Sequence, residues 1–491
     1  MSRPSARDRA INVTDGALLK PLVVLSVPIV LTNTLQVGYN LADTFWVGRL
    51  GQPAVAALSF SWAIVFLVIA LSLGFSVAGT VLVAQHKGAG NLDRVSRVAG
   101  QTVSVVLGVS VLFSIVGFAL APTLLGLVGA TPGSEAFGLA VAYTRTMFVG
   151  IPFVFGFFIF QSLLQGWGDT RTPLYLMAFG VGLNVLLDPF LILGFQDNVL
   201  LSWVGLEGVQ AALYAATGFE GFGVQGAAYA TILSRGIGAI VGIHLLLSGA
   251  VGIELSLADF RPEVKTVRSL VRIGAPASVE ISTSALSVTI LTALVAIAGS
   301  DAVAAYGIGS RITSMVVLPA LGVARGVETV VGQNLGAGQP DRARRGVAAA
   351  VGIIAVALAG FSVAIYLSAD PIVGAFISGA GASRVTAIGS EYLRIVGASY
   401  VFLGAFYVVQ GGFRGSGSTR TAMAFAFVGF IILRSAAAYA LAVPVGWGAT
   451  GVWYGEAVSN LLMALLVGAY FLRGPWLGRV IDAPDAEGRS S

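Results

Sequence analysis

Polar side chains at helical spacing interrupt the first apolar segment of the chain. Five of them recur at spacings of three or four residues along the segment, and these are Asn33, Gln36, Tyr39, Asn40 and Asp43. Such spacing places side chains on one face of an α-helix, and a polar stripe on an apolar helix is typical of a wet cavity. We therefore interpret Asn33, Gln36, Tyr39 and Asn40 as residues that line a substrate cavity.

Asp43 belongs to a group of oxygen-bearing side chains spread over three apolar segments. Asn184 and Asp188 lie one helical turn apart in the second segment, and Thr231 lies in the third. An ionisable residue at membrane depth costs about 2.5 to 3.5 kcal/mol and needs a compensating role. Two aspartates that face one cavity of low dielectric constant should share a proton or be neutralised together by a bound cation. The four residues therefore predict a cation-coupling site, for protons by preference or for a sodium ion held by the same oxygens.

Enzymatic and nucleotide chemistry is not indicated by any motif. The chain has no cysteine and two histidines, and it contains neither a His-Glu-x-x-His sequence nor a P-loop. Two Gly-x-Gly-x-x-Gly strings, at 221–226 and 446–451, begin repeated helices rather than a dinucleotide site. We expect no enzyme activity, no cofactor beyond the coupling ion and no nucleic-acid partner.

The composition requires a membrane to surround these segments. Of the 491 residues, 56% are hydrophobic and 10% are charged, and the mean hydropathy is +0.88. These values exclude a soluble protein, because so little charge cannot keep so much apolar surface in water. At about 20 residues per span, we predict twelve transmembrane helices, near 20–48, 54–86, 95–120, 137–165, 172–195, 223–247, 265–298, 302–333, 343–368, 387–413, 420–442 and 449–472.

The two halves of the chain repeat each other in the same orientation. Gln85 and Gly88 recur as Gln333 and Gly336, an offset of 248 residues that corresponds to six spans. We therefore divide the chain into an N-lobe at 18–247 with an insertion at 197–220, a linker at 248–264 and a C-lobe at 265–472, between tails at 1–17 and 473–491. Asp43 and Asp188 correspond by repeat to Leu291 and Ala437. The acid pair therefore breaks the symmetry of the repeat, which makes it a better functional candidate than the residues that recur in both halves.

Basic residues collect on one side of the predicted spans. Twenty of the 28 Lys and Arg residues lie in the termini and in the turns after even-numbered spans, whereas Arg49 and Arg384 lie on the other side. The positive-inside rule then places both termini and the linker in the cytoplasm and the 197–220 insertion outside. We expect a monomer in the cell membrane of a prokaryote, in contact with membrane lipids.

Two further residues have candidate roles. Pro28 removes a backbone hydrogen bond from the first span and leaves it easy to bend, so we interpret it as a gating residue that responds to the charge state of the acid pair. Glu280 follows Pro276 by one turn and has no carboxylate mate in the N-lobe. We treat Glu280 as a possible second site in the C-lobe.

Together these features resemble the MATE family of multidrug and toxic compound extrusion transporters, and most closely its DinF-like prokaryotic branch. The resemblance rests on Pro28, on the Asn40-x-x-Asp43 and Asn184-x-x-x-Asp188-Pro189 sequences and on the repeated Gly-x-Gly-x-Thr-Arg-Thr turns. It implies an all-α, V-shaped pair of six-helix lobes and export of small amphiphilic, often cationic substrates by cation-coupled antiport. It also implies one cavity in the N-lobe, formed by Gln36, Tyr39, Asp43, Asn184, Asp188 and Thr231. Residues 395–413 of the tenth span include no carboxylate, so the C-lobe sodium site of the NorM-like branch lacks a partner for Glu280.

Two alternatives remain. A flippase for lipid-linked sugars or other lipids has the same superfamily architecture, but it should show a strongly cationic cavity, whereas the mid-span residues noted here are mainly acids and amides. A membrane-embedded transferase would need a cluster of carboxylates or histidines near the membrane surface, and none is found.

The predicted sidedness can be tested with single cysteines introduced into this cysteine-free chain. In intact cells, a cysteine near Asp8 should resist an impermeant thiol reagent and a cysteine near Glu207 should react, whereas both should react after permeabilisation. Labelling near Asp8 without labelling near Glu207 in intact cells would overturn the topology.

Overall fold

A computed structural model describes residues 11–196, 198–379, 381–478 and 480–481 of the chain. Within these ranges all regular structure is helical. Eleven helices are long and apolar enough to cross a membrane, and a twelfth span is formed by two helices that meet at a 52° bend. The predicted all-α fold with twelve spans is therefore confirmed. The predicted tails at 1–17 and 473–491, together with Asp197 in the insertion, lie partly or wholly outside the described residues.

The first six spans form one half of the molecule, and a surface segment interrupts them. These spans are α1 (Leu19–Gly48), α2 (Gln52–Gly88), α3 (Leu92–Leu127), α4 (Glu135–Trp167), α5 (Arg171–Leu193) and α8 (Val224–Leu247). Two short helices, α6 (Val199–Trp203) and α7 (Glu207–Thr217), lie between α5 and α8. No residue of α7 is buried, as expected of an insertion at the surface of the lobe.

The second six spans follow a linker that packs on α3. The linker contains a 3₁₀ turn at Leu257–Phe260, and Gln101 of α3 donates a hydrogen bond to the Arg261 carbonyl oxygen. The spans are α9 (Val264–Ala296), α10 (Ser300–Gly336), α11 (Pro340–Gly374), the bent pair α12 (Ala382–Gly397) and α13 (Tyr400–Gly415), the segment formed by α14 (Thr419–Ala426), a π-helical turn (Phe427–Leu433) and α15 (Arg434–Ala442), and α16 (Gly448–Arg473).

The turn between α4 and α5 shows how local sequence positions a site helix. Gly168 ends α4 with φ +92°, a left-handed conformation that favours glycine. The Asp169 carboxylate then accepts hydrogen bonds from the backbone N–H groups of Arg171 and Thr172, at 3.0 Å each, and so caps the first turn of α5. The side chain of Asp188 projects from the last turns of this helix.

The two lobes meet at the ends where the turns after even-numbered spans lie. The contacts between them follow the internal repeat. Gln85 Nε2 of α2 donates to the Gly415 carbonyl oxygen at 3.2 Å, and its repeat mate Gln333 of α10 donates to the Gly166 carbonyl oxygen at 2.9 Å. Gly88 and Gly336 let the two helices cross closely, since a Cβ atom on Gly336 would lie 2.0 Å from the Gln85 carbonyl oxygen. This symmetric crossing holds the two lobes in close contact at what we call the closed end.

We expect Gly336→Ala to open the crossing, because the added methyl group collides with backbone rather than with a flexible side chain. Overpacking of this kind costs about 1 to 3 kcal/mol, so a cysteine at Thr329, which is fully buried at this interface, should react with N-ethylmaleimide severalfold faster. The matched control is Gly352→Ala, where a Cβ atom meets nothing within 4 Å. Equal labelling rates in the two variants would show that the crossing does not hold the lobes together.

Candidate functional site

The structure brings Asp43 of α1 and Asp188 of α5 together within the N-lobe. Their carboxyl groups lie within hydrogen-bonding reach of each other, and the two residues are 7% and 0% exposed. Asn184 lies one turn before Asp188, and its Nδ2 atom donates to Asp188 Oδ1 at 3.3 Å. A hydrogen bond between two carboxyl groups requires a proton on one of them, so this geometry suits a pair that holds one proton.

Three oxygen atoms at the acid pair have no hydrogen-bond partner among the described residues. They are Asp43 Oδ1, Asp188 Oδ2 and Asn184 Oδ1, and all three are buried. Neither aspartate forms an ion pair with a Lys or Arg residue in the part of the chain that the structure describes. Because buried polar atoms normally have partners, these oxygens are suited to hold a proton or a cation.

Thr231 joins the acid pair through Tyr39. The hydroxyl groups of Thr231, on α8, and Tyr39, on α1, are hydrogen-bonded to each other, and Tyr39 lies within hydrogen-bonding reach of Asp43. The four residues predicted for coupling therefore lie in one cluster. Thr231 contacts Tyr39 rather than a carboxylate.

The remaining residues of the α1 stripe lie one to three turns from Asp43 towards the closed end. Gln36 and Asn40 are half-buried, and Gln36 Nε2 donates to Asn40 Oδ1 at 3.1 Å. Asn33 is half-buried on the same helix. The stripe thus continues from the acid pair along one face of α1, as its spacing predicts.

Pro28 lies inside α1, which is helical on both sides of it. Proline donates no backbone hydrogen bond, and the Thr32 hydroxyl group donates to the Pro28 carbonyl oxygen at 2.8 Å. Gly322 and Gly326 of α10 pack against Val30 and Ser26, on either side of Pro28. This proline therefore lies where α1 contacts the other lobe.

Arg235 is a functional candidate that the sequence reasoning missed. It is 6% exposed, and it lies one turn from Thr231 on α8. Its Nη2 atom donates to Gln36 Oε1, and its Nη1 atom lies 3.0 Å from Met177 Sδ. The available signal was its position: a basic residue in the middle of an apolar span, four residues after a predicted site residue.

Glu280 occupies a different environment from the acid pair. Arg414 Nη1 lies 2.5 Å from Glu280 Oε1, and Arg414 Nε lies 2.6 Å from Glu328 Oε1. Arg325 adds a second, longer contact to Glu328, at 4.0 Å. Glu280 is thus neutralised by an arginine, and no group of three or more His, Cys, Asp or Glu residues among those described could hold a metal ion.

The comparisons with known proteins agree with this fold along nearly the whole chain. The MatE family model matches residues 28–190 and 276–440. The chain is 29% identical over 469 residues to the probable multidrug resistance protein YpnP of Bacillus subtilis, with 95% of this chain and 98% of that protein covered. It is 26% identical to the probable multidrug resistance protein NorM of Thermotoga maritima, with 94% of each chain covered.

Solved structures show the same architecture. A MATE protein in complex with MaL6 superposes with a TM-score of 0.85 at 23% identity, with 97% of this chain and 99% of that chain covered. A MOP superfamily transporter from Pyrococcus furiosus, described as having a binding pocket of reverse polarity, gives the same TM-score, identity and coverage. Together with this fold, the family match and the named relatives define a membrane transporter. The chain belongs to the MatE family.

The Arg414 network predicts a structural role for Glu280. We expect Arg414→Gln to lower the free energy of unfolding by about 3 to 5 kcal/mol, because two buried carboxylates lose their partner. Thermal unfolding of the purified protein in detergent measures this loss as a lower Tm. Arg420→Gln is the matched control, since Arg420 is exposed. Equal Tm values for the two variants would contradict the structural role.

Proposed function

We propose that the protein exports small amphiphilic organic cations by alternating access, in exchange for protons that enter through the acid pair. The observation that carries this proposal is the buried Asp43–Asp188 pair, whose oxygens have no basic partner and include two without any hydrogen bond. A buried carboxylate pair without a basic partner binds a cation strongly, but it can release the cation when water or another cation reaches the site.

The names of the relatives support this class of substrate. YpnP of Bacillus subtilis and NorM of Thermotoga maritima are described as probable multidrug resistance proteins, and MepA of Staphylococcus saprophyticus as a multidrug export protein. A FAD transporter of Shewanella oneidensis is 26% identical over 324 residues, so relatives of this chain also carry other substrates. We therefore rest the preference for cations on the acid pair.

Exchange follows from competition for the same carboxylates. A bound organic cation disfavours protonation of the pair, and a bound proton disfavours the organic cation, so each species displaces the other. Tyr39 connects Asp43 to Thr231 on α8, and α1 carries Pro28 at its contact with α10. A change in charge at Asp43 is thereby passed to the helix that contacts the opposite lobe.

Protons fit the site better than sodium. Thr231 directs its hydroxyl group at Tyr39, which leaves the oxygens of Asp43, Asn184 and Asp188 for an ion. Hard cations prefer a larger shell of oxygens, whereas one proton satisfies two facing carboxyl groups. Sodium therefore remains the second possibility for the same residues.

The flippase alternative has less support. Its cationic cavity would need accessible guanidinium groups, but Arg414 and Arg434 are buried beside Glu280, Glu328 and Glu456. We further propose that the protein works as a monomer in a prokaryotic cell membrane, with both termini in the cytoplasm.

The coupling role can be tested in proteoliposomes without sodium. An acidic interior should drive ethidium uptake in the wild type, and Asp43→Asn or Asp188→Asn should each abolish it, because the remaining acid cannot share a proton with a second carboxylate. Both variants should remain folded and inserted. The control is Asp301→Asn, which removes a half-exposed carboxylate from an ion pair with Arg384 at the surface.

Undiminished uptake by both site variants would remove the acid pair from the mechanism. Uptake that depends strictly on a sodium gradient, and is still lost in both variants, would keep the pair and replace the proton.

A further inference from the structure

Arg235 holds a buried positive charge beside the acid pair without an acidic partner. Aromatic rings surround its guanidinium group, whose central carbon lies 5.1 Å from the centre of the Tyr39 ring, 4.9 Å from that of Phe157 and 5.8 Å from that of Phe158. Cation–π contacts of this kind stabilise a desolvated cation but do not neutralise it. Among the described residues, Arg235 forms no ion pair.

A buried arginine in the C-lobe, unlike Arg235, has a carboxylate partner. Arg434 lies 3.9 Å from Glu456, and its Nη2 atom donates to Asn460 Oδ1 at 2.5 Å. Asn460 corresponds by repeat to Arg235, and Glu456 corresponds to Thr231. Each lobe therefore has one guanidinium group at this place, but only the C-lobe supplies a carboxylate directly beside it.

The side chain of Tyr39 lies between Arg235 and the acid pair. Its ring faces the guanidinium group, and its hydroxyl group reaches Asp43. The charged residues buried in the N-lobe spans are Asp43, Asp188 and Arg235, and the other titratable groups that face them are the phenols of Tyr39 and Tyr143. With both acids ionised, these groups sum to one negative charge rather than two.

We propose that Arg235 determines the charge of the transported cation, by leaving the N-lobe site with a single negative charge that one monovalent cation neutralises. This inference rests on the proposed function, since it assumes that the organic cation binds at the acid pair. A second positive charge would remain uncompensated in a medium where charges interact strongly. The site therefore selects monovalent over divalent cations of the same scaffold.

Ethidium and propidium provide the test, because they share a phenanthridinium ring and carry one and two positive charges. Binding of each dye to the purified full-length protein is measured by the change in dye fluorescence. The wild type should bind ethidium at least about tenfold more tightly than propidium, a difference of about 1.4 kcal/mol. Because propidium is also larger, the decisive quantity is the change of this ratio between variants.

Arg235→Met should lower the preference for ethidium at least about tenfold, since the site then holds two negative charges. Arg235→Lys should retain the wild-type preference. Arg145→Met is the matched control, because Arg145 of α4 is another N-lobe arginine whose guanidinium group lies over an aromatic ring, that of Phe118 on α3. A merely structural role for Arg235 would change Tm or both affinities together but not their ratio.

Equal affinity of the wild type for the two dyes, or an unchanged ratio in Arg235→Met, would overturn the proposal. If Arg235→Met does not fold, Arg235→Gln removes the same charge and is judged by the same ratio. Failure of the proposed function looks different: ethidium binding would then be absent from the wild type, or unaffected by Asp43→Asn and Asp188→Asn.

Discussion

Charge compensation in a medium without water is the constraint on which this structure depends. In the C-lobe, Glu280, Glu328 and Glu456 each lie within 4.0 Å of an arginine, so these carboxylates are already neutralised and act as fixed parts of the scaffold. In the N-lobe, Asp43 and Asp188 lie beside each other, and among the described residues neither forms an ion pair with a Lys or Arg residue. Ion pairs therefore meet this requirement in the C-lobe, whereas we propose that an exchangeable proton or cation meets it in the N-lobe.

The internal repeat gives the two lobes the same framework, although their buried charges differ. The crossing of α2 and α10 through Gly88, Gly336 and their neighbouring glutamines is symmetric, and two related halves can rock about such an interface. The proposed coupling site lies in one half, on α1, α5 and α8. Helix α1 also contacts α10 around Pro28. A change at the N-lobe site can therefore reach the contact between the two lobes through α1.

Much of this arrangement could be predicted from the sequence, because membrane spans and a polar stripe leave strong patterns. The twelve spans follow from those patterns. The meeting of Asp43 with Asp188 does not, because the two residues lie on separate helices, and it is the resemblance to the MATE family that implies it. Arg414 directly follows the predicted 387–413 span, where the sequence indicates a turn, yet it is 8% exposed between two glutamates, because its partners come from distant spans. The π-helical turn at Phe427–Leu433 and the 52° bend between α12 and α13 also leave no periodic signal.

The central claim is that a proton held between Asp43 and Asp188 is displaced when an organic cation binds. Infrared difference spectroscopy of the purified protein, with and without tetraphenylphosphonium, observes this proton through the carbonyl stretch of a protonated carboxyl group. We expect this band to be lost from the wild type on binding and the loss to be absent in Asp188→Asn. An unchanged band in the wild type at saturating tetraphenylphosphonium would contradict it.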